Sequence, residues 1–355
     1  AGLARRGWLI DLVTTRLDDA PALPSGVRVH ALDAPPGVHS ARFRRALAEW
    51  AAGRERPDLL LSISFAGGEI MRRRPEIPSI CQAHGSAWRE AAGKLRRMDP
   101  RGLYRLALHL AAERPAFARA DRIVAVGPAV RDYLTSFPYG FLDPAKIVVI
   151  PNGIDADACA RAAGEDRSAV RGRFGIAGAE KLVVAACRLL PEKGVFDLVR
   201  AYETIEGRER TALVLAGSGR DENRIRGYCR ARGMERVKLV GSLAHADALV
   251  LMRAADLVAQ VGTRPEGLPL VVLEALAVGS PALVSEGLSL PDLGAAANSV
   301  VRADPRSLAS IAAGIESGLR IGPLSPETAR AARERFSLEA TLDRYEHLIN
   351  EVIRN

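Results

Sequence analysis

The segment Glu266-Gly267-Leu268-Pro269-Leu270-Val271-Val272-Leu273-Glu274 sets two carboxylates around a Gly-Leu-Pro turn. Pro269 stands where a helix can begin, and Gly279-Ser280-Pro281 where it must end. Leu270, Leu273 and Leu276 would form its buried stripe. The backbone N–H groups of Gly267 to Leu270 then lack helical acceptors and point outward, an arrangement that holds phosphate. Glu266 lies in the preceding loop and Glu274 one turn into the helix. Both can accept hydrogen bonds from sugar hydroxyls beside that anion-binding tip. Either glutamate alone is explained by the preference of acidic side chains for helix N-termini, worth about 0.3–1 kcal/mol. The pair around the turn is the stronger signal.

A second group is Arg188-Leu189-Leu190-Pro191-Glu192-Lys193-Gly194, after the apolar run 182–186. Doubly wound sheets bind ligands at the carboxyl ends of their strands. There Arg188 can grip a phosphate with two parallel bonds and Lys193 as a point charge, while Gly194 lets the next helix start close to the ligand. A solvated loop with two surface cations is the plain alternative. Leu215-Ala216-Gly217-Ser218-Gly219 is again a strand running into a small-residue turn. It is half of a dinucleotide fingerprint whose third glycine is absent, position 222 being Glu, so an NAD site is rejected. Gln82-Ala83-His84-Gly85-Ser86 ends another strand, which points His84 at a crevice, although a lone histidine is often structural. No Asp-x-Asp or His/Cys cluster accompanies these loops, so no metal is expected, and no serine-hydrolase or metalloprotease motif is present.

These groups need strand ends to position them, and the sequence supplies twelve candidates. In the first half they are Leu9–Val13, Val27–Leu32, Leu59–Phe65, Pro78–Ala83, Arg122–Val126 and Lys146–Ile150. In the second half they are Lys181–Ala186, Thr211–Ala216, Val237–Val240, Asp256–Val261, Pro281–Ser285 and Ser299–Arg302. Continuous apolar runs such as Ile147-Val148-Val149-Ile150 suit parallel strands covered on both faces. Their alternation with helical segments implies βαβ units and an α/β fold of two doubly wound, Rossmann-like domains facing a cleft. The turn Pro151-Asn152-Gly153 marks the joint, giving domains at 1–153 and 154–336. Ser325 reads as an N-cap with Pro326 behind it, and 337–355 as a last helix with one buried face, expected to pack on the first domain. Residues 1–6 read as the end of a helix capped by Gly7, so the first βα unit looks absent or incomplete.

Composition agrees with a globular protein of two domains: 355 residues, 48% hydrophobic and 26% charged. No uncharged apolar run reaches the ~18 residues of a membrane span, and the start does not read as a signal peptide. Cys81, Cys159, Cys187 and Cys229 are widely separated, as buried thiols of a cytoplasmic protein would be. The net charge of +8 sits wholly in residues 1–150. Arg72-Arg73-Arg74 and the stretch Lys94 to Arg105 could hold an anionic glycolipid at a membrane surface, or be an arginine-rich solvated face. The basic stretches lack interleaved aromatics, so nucleic acid is not an expected partner.

Taken together, these residues resemble a retaining glycosyltransferase of family 4, with the two-domain GT-B fold. The resemblance covers nearly the whole chain: Ala120-Asp121-Arg122-Ile123-Val124-Ala125-Val126, Ile150-Pro151-Asn152-Gly153-Ile154-Asp155, Arg188 to Gly194, Gly217-Ser218-Gly219, and Glu266/Glu274 followed by Ala275-Leu276-Ala277-Val278-Gly279-Ser280-Pro281. It implies a nucleotide-diphosphate sugar as co-substrate, a UDP-sugar before a GDP-sugar, and neither metal nor other cofactor. It also implies that Arg188, Lys193 and the Gly267, Leu268, Pro269 and Leu270 tip hold the diphosphate. Glu266 would touch the donor sugar, Glu274 the ribose, Gly217 and Gly219 the nucleotide, and His84 the acceptor side. The acceptor would be a glycan, glycolipid or small molecule. The alternatives are a nucleotide-sugar epimerase, a sugar phosphorylase, or an inactive nucleotide-sugar-binding protein. Two departures stand out. The family's opening strand and glycine-rich loop are not found, with Trp8 where its Leu-Ala-x-x-Gly-His segment has His, and Gly127-Pro128 replaces a serine.

Overall fold

The structure, a computed structural model, describes residues 2–15, 23–35, 40–84, 91, 98–176, 181–263 and 267–354. All twelve expected strands are present, with ends displaced by at most two residues. The chain forms two compact units, Gly153–Ala340 and Ala1–Asn152 with Thr341–Asn355.

The Gly153–Ala340 unit holds one six-stranded sheet, made of β7 (Lys181–Ala186), β8 (Thr211–Ala216), β9 (Val237–Gly241), β10 (Leu257–Gln260), β11 (Ala282–Ser285) and β12 (Val300–Ala303). All its pairings are parallel, in the order β12-β11-β10-β7-β8-β9. Parallel strands joined by helical crossovers need cover on both faces, which their continuous apolar runs allow. β8, β10 and β11 are buried throughout, between two large apolar clusters. The order matters for function. Winding proceeds one way through β7, β8 and β9 and the other way through β10, β11 and β12. The switch point therefore falls between the adjacent strands β7 and β10, where the connecting loops part and leave room for a ligand.

In the other unit the six expected strands divide between two sheets. β1 (Ile10–Thr15) and β2 (Val27–Leu32) pair in parallel as a separate sheet, while β3 (Leu60–Ile63), β4 (Ser79–Ala83), β5 (Arg122–Ala125) and β6 (Ile147–Val149) form another, also parallel. The physical difference is that no hydrogen-bonded ladder links β1 to β3; side chains do so instead. Val13, Leu32 and Leu60 all pack on a core built around Phe43, Leu47 and Ala48 of the Ala41–Ala52 helix. Before β1 lies the short helix Gly2–Arg5, with Gly7 at φ +94° behind it. The helix Leu338–Arg354 brings Tyr345, Leu348, Ile349 and Val352 onto Ile80, Val124 and Ile150 of this unit. Arg6 clamps it through Asp343 and Glu346, at 2.7 and 2.9 Å.

Candidate functional site

Within the Gly153–Ala340 unit, the loops after β7 and β8 interlock by backbone contacts. Cys187 donates to Ala216 (3.0 Å), Leu189 to Ser218 (2.9 Å) and Asp221 back to Leu189 (3.0 Å). A Cβ on Gly217 would overlap the Cys187 carbonyl, and one on Gly219 the Leu189 carbonyl. These glycines are thus required by the meeting of two chain segments, whatever they border. Gly194, at φ +67°, does the same on the other side, because a Cβ there would overlap the Val261 carbonyl beyond β10. Thr263 donates to the Glu192 carbonyl at 3.1 Å, which ties the β7 loop to the β10 loop. Arg188 is exposed on this loop; its carbonyl accepts from the Leu190 N–H at 2.9 Å, while its side chain makes no hydrogen bond or ion pair with the described residues. Lys193 ends the short 3-10 turn Pro191–Lys193 and is half-buried.

The helix Leu270–Val278 begins just past β10. Pro269 is its N-cap, in extended conformation, and Gly279 at φ +92° closes it. Two details correct the expectations. Proline has no N–H, so Pro269 contributes shape only; the outward donors are Gly267, Leu268, Leu270 and Val271, none of which bonds to a described residue. Nor is the apolar surface a stripe. Val272, Leu273, Ala275, Leu276, Ala277 and Val278 are all buried, since clusters press on the helix from both sides, while Leu270 is only half-buried.

Glu274 is the polar residue in this buried helix, its side chain 12% exposed. Its Oε1 lies 2.8 Å from Nε2 of His245, the first residue of the helix His245–Ala254. Its charge also helps hold the neighbouring Cys159 thiol at a pKa of about 12, after burial as the larger cause. His245 was missed in the sequence, though the signal existed: Gly241-Ser242-Leu243-Ala244-His245 leaves β9 at the same sheet end. Ser242 joins the group through a 2.9 Å hydroxyl contact with Ser218.

Arg188, Lys193, Gly217, Gly219, Gly267, Leu268, Pro269, Leu270 and Glu274 thus share the carboxyl edge of one parallel sheet, around its switch point. Glu266 lies outside the described residues, as do Gly85 and Lys94. His84 belongs to the other unit, at the carboxyl end of β4. It is solvent-accessible, yet enclosure of its ring lowers its pKa from 6.5. Among the described residues no group of three His, Cys, Asp or Glu is arranged to hold a metal. Of the basic stretches, Arg72 and Arg73 are both paired with Glu69, and Arg74 with Glu76.

Two family models match the chain: "Glycosyltransferase Family 4" over residues 1–158 and "Glycosyl transferases group 1" over residues 166–335. The chain belongs to this family of glycosyltransferases, and its fold is GT-B. It is 31% identical over 150 residues to a GDP-mannose-dependent monoacylated alpha-(1-6)-phosphatidylinositol monomannoside mannosyltransferase of Corynebacterium glutamicum, a match spanning 40% of this chain and only 39% of that protein. It is 29% identical to the D-inositol 3-phosphate glycosyltransferase of Segniliparus rotundus, over 96% of this chain and 80% of that one. The crystal structure of Anabaena HepE in complex with UDP-glucose superimposes with a TM-score of 0.68 at 21% identity, over 92% of this chain and 86% of that one.

Proposed function

We propose that the protein transfers a hexosyl group, with retention, from a nucleotide-diphosphate sugar to an acceptor hydroxyl. What supports this reading is that a helix tip whose N–H groups bond to no described residue follows β10 and the Arg188–Gly194 loop follows β7, the two adjacent strands at the switch point of one sheet. Such a tip favours an anion through its unpaired donors and the helix dipole, and two nearby cations add to it. In the reaction the bond between the anomeric carbon and the phosphate oxygen breaks, and the acceptor oxygen bonds to that carbon on the same face. The acceptor proton passes to the departing phosphate oxygen. Negative charge grows on the leaving diphosphate, and a site whose donors are already in place stabilises it without reorganisation.

In this assignment Arg188, Lys193 and the N–H groups of Gly267, Leu268, Leu270 and Val271 hold the diphosphate. Glu274 accepts from the ribose, Glu266 from the donor sugar, and His84 serves the acceptor side. UDP-sugars are the first donors to try, on the strength of the HepE complex; GDP-mannose is the competitor, because the Corynebacterium relative depends on it. The test measures transfer with purified Lys193→Ala and Arg188→Ala. Removing one partner of a buried charge contact costs about 2–5 kcal/mol, or roughly 30- to 4000-fold in rate. Activity should fall in that range with an unchanged melting temperature. Near-normal turnover in Lys193→Ala would remove its assigned role. Incubating donor without acceptor separates transfer from epimerisation, which would interconvert the sugar alone.

A further inference from the structure

The stretch Arg101–Arg119 is helical throughout: Arg101–Leu108 and Arg114–Arg119 are α, and His109–Glu113 is a π turn. Its inner side is locked. His109 and Glu113, both 1% exposed, pair at 2.9 Å, and the buried Tyr139 hydroxyl contacts both. That triangle fixes which side faces out. Exposed on the outside are Leu103, Tyr104, Ala107, Leu110, Ala111 and Arg114, at successive helical turns. Leu103, Tyr104 and Leu110 keep 62%, 57% and 53% of their surface in solvent. Three large apolar side chains facing water within about two helical turns, with alanines between them, form an exposed apolar patch of the kind that marks an interaction surface.

The charges along it have one sign. Arg101, Arg114 and Arg119 of the helix are exposed, whereas Arg105 is half-buried; the helix's single acid is the buried Glu113, and Asp99 just before it accepts from the Arg101 N–H. Arg114 stacks over the Phe141 ring at 4.4 Å, which brings a further half-exposed aromatic beside the stripe. Apolar side chains flanked only by arginines are complementary to a lipid surface with anionic headgroups, where the side chains enter the acyl boundary and the cations meet phosphate. We infer that the outer face of the Arg101–Arg119 helix docks on an anionic lipid bilayer. Arg72, Arg73 and Arg74 take no part: they lie outside this helix and are ion-paired with Glu69 and Glu76, the five side chains together leaving one net positive charge. The inference is independent of the donor reaction and adds where the protein would work.

The test sediments the full chain with vesicles of pure phosphatidylcholine and of phosphatidylcholine with about 30% phosphatidylglycerol, in about 50 mM and about 0.5 M salt. Binding is expected to the anionic vesicles and to weaken in high salt. Leu103→Asp/Leu110→Asp should bind at least about tenfold more weakly. The same variant should keep the wild-type circular dichroism, melting temperature and nucleotide affinity. Arg72→Ala/Arg73→Ala should bind like wild type. No sedimentation of wild type with anionic vesicles overturns the inference, as does undiminished binding by the folded aspartate variant. A wild-type dimer in light scattering that the aspartates dissolve overturns it too, since the stripe would then be covered by a second copy.

Discussion

The His245–Glu274 pair gives the sharpest handle on the donor site. Replacing His245 with alanine removes the donor 2.8 Å from Glu274 Oε1 and leaves the carboxylate in its helix. A hydrogen bond to a charged group contributes about 1.5–3 kcal/mol net. The His245 side chain is 56% exposed, so water replaces much of the lost contact. About 1 kcal/mol is the reasonable remainder, which corresponds to roughly fivefold in affinity. Because Glu274 is assigned to the ribose, the loss should depend on the ligand. Calorimetry with a nucleoside diphosphate and with its 2',3'-dideoxy form should show roughly fivefold weaker binding of the first by His245→Ala, and no change for the second. His245→Gln, whose amide can still donate, should recover much of the difference. Three outcomes separate the ideas. If wild type does not distinguish the two ligands, Glu274 is not the ribose acceptor. If Glu274→Gln abolishes the distinction and His245→Ala leaves it, His245 does not position the carboxylate. Equal weakening toward both ligands by His245→Ala refutes the reasoning as well, because the effect would then be a general loosening of the site.

Gly217→Ala sets a Cβ against the Cys187 carbonyl, at φ +140°, so the β7 and β8 loops must separate; nucleotide binding should be lost and the melting temperature lowered. Asp256 is buried and holds Arg167 at 2.9 Å and Arg171 at 2.7 Å, so Asp256→Ala strands two cations and should cost about 3–5 kcal/mol in denaturant unfolding. His84 should titrate below 6.5 by NMR and be neutral at pH 7. Since the unfolded chain takes up that proton first, stability is full above pH 6.5 and declines as the pH falls through the unfolded value. His84→Gln should flatten that part of the profile.

What the sequence made legible depends on the range of the interaction that decides each feature. The strands were readable because burial on both faces writes itself locally, as in Val183-Val184-Ala185 or Leu213-Val214-Leu215, which are buried in the structure. The helix tip at Pro269 and its end at Gly279 were readable from turn chemistry over a dozen residues. The splitting of the first unit into two sheets was not, because ladder formation between β1 and β3 is a long-range matter that neither strand's composition records. Leu61 and Ile63 of β3 are strongly apolar and yet exposed.

The same distinction separates the residues that were found from the one that was not. Arg188, Lys193 and Glu274 were picked out by residue type near a glycine or proline. His245 stands four residues past Gly241 in a loop with no phosphate-binding motif, and its place is decided by sheet order. β9 stands two strands from β7 and follows β8, so its loop reaches the same edge as the loop that leads to Glu274. A parallel sheet in which all carboxyl ends meet on one side turns every residue just past a strand into a candidate for the site. The useful reading is therefore strand ends first and motifs second. By that rule His84 after β4 and His245 after β9 stand on equal footing, one in each unit, although only the first sits beside a recognisable glycine.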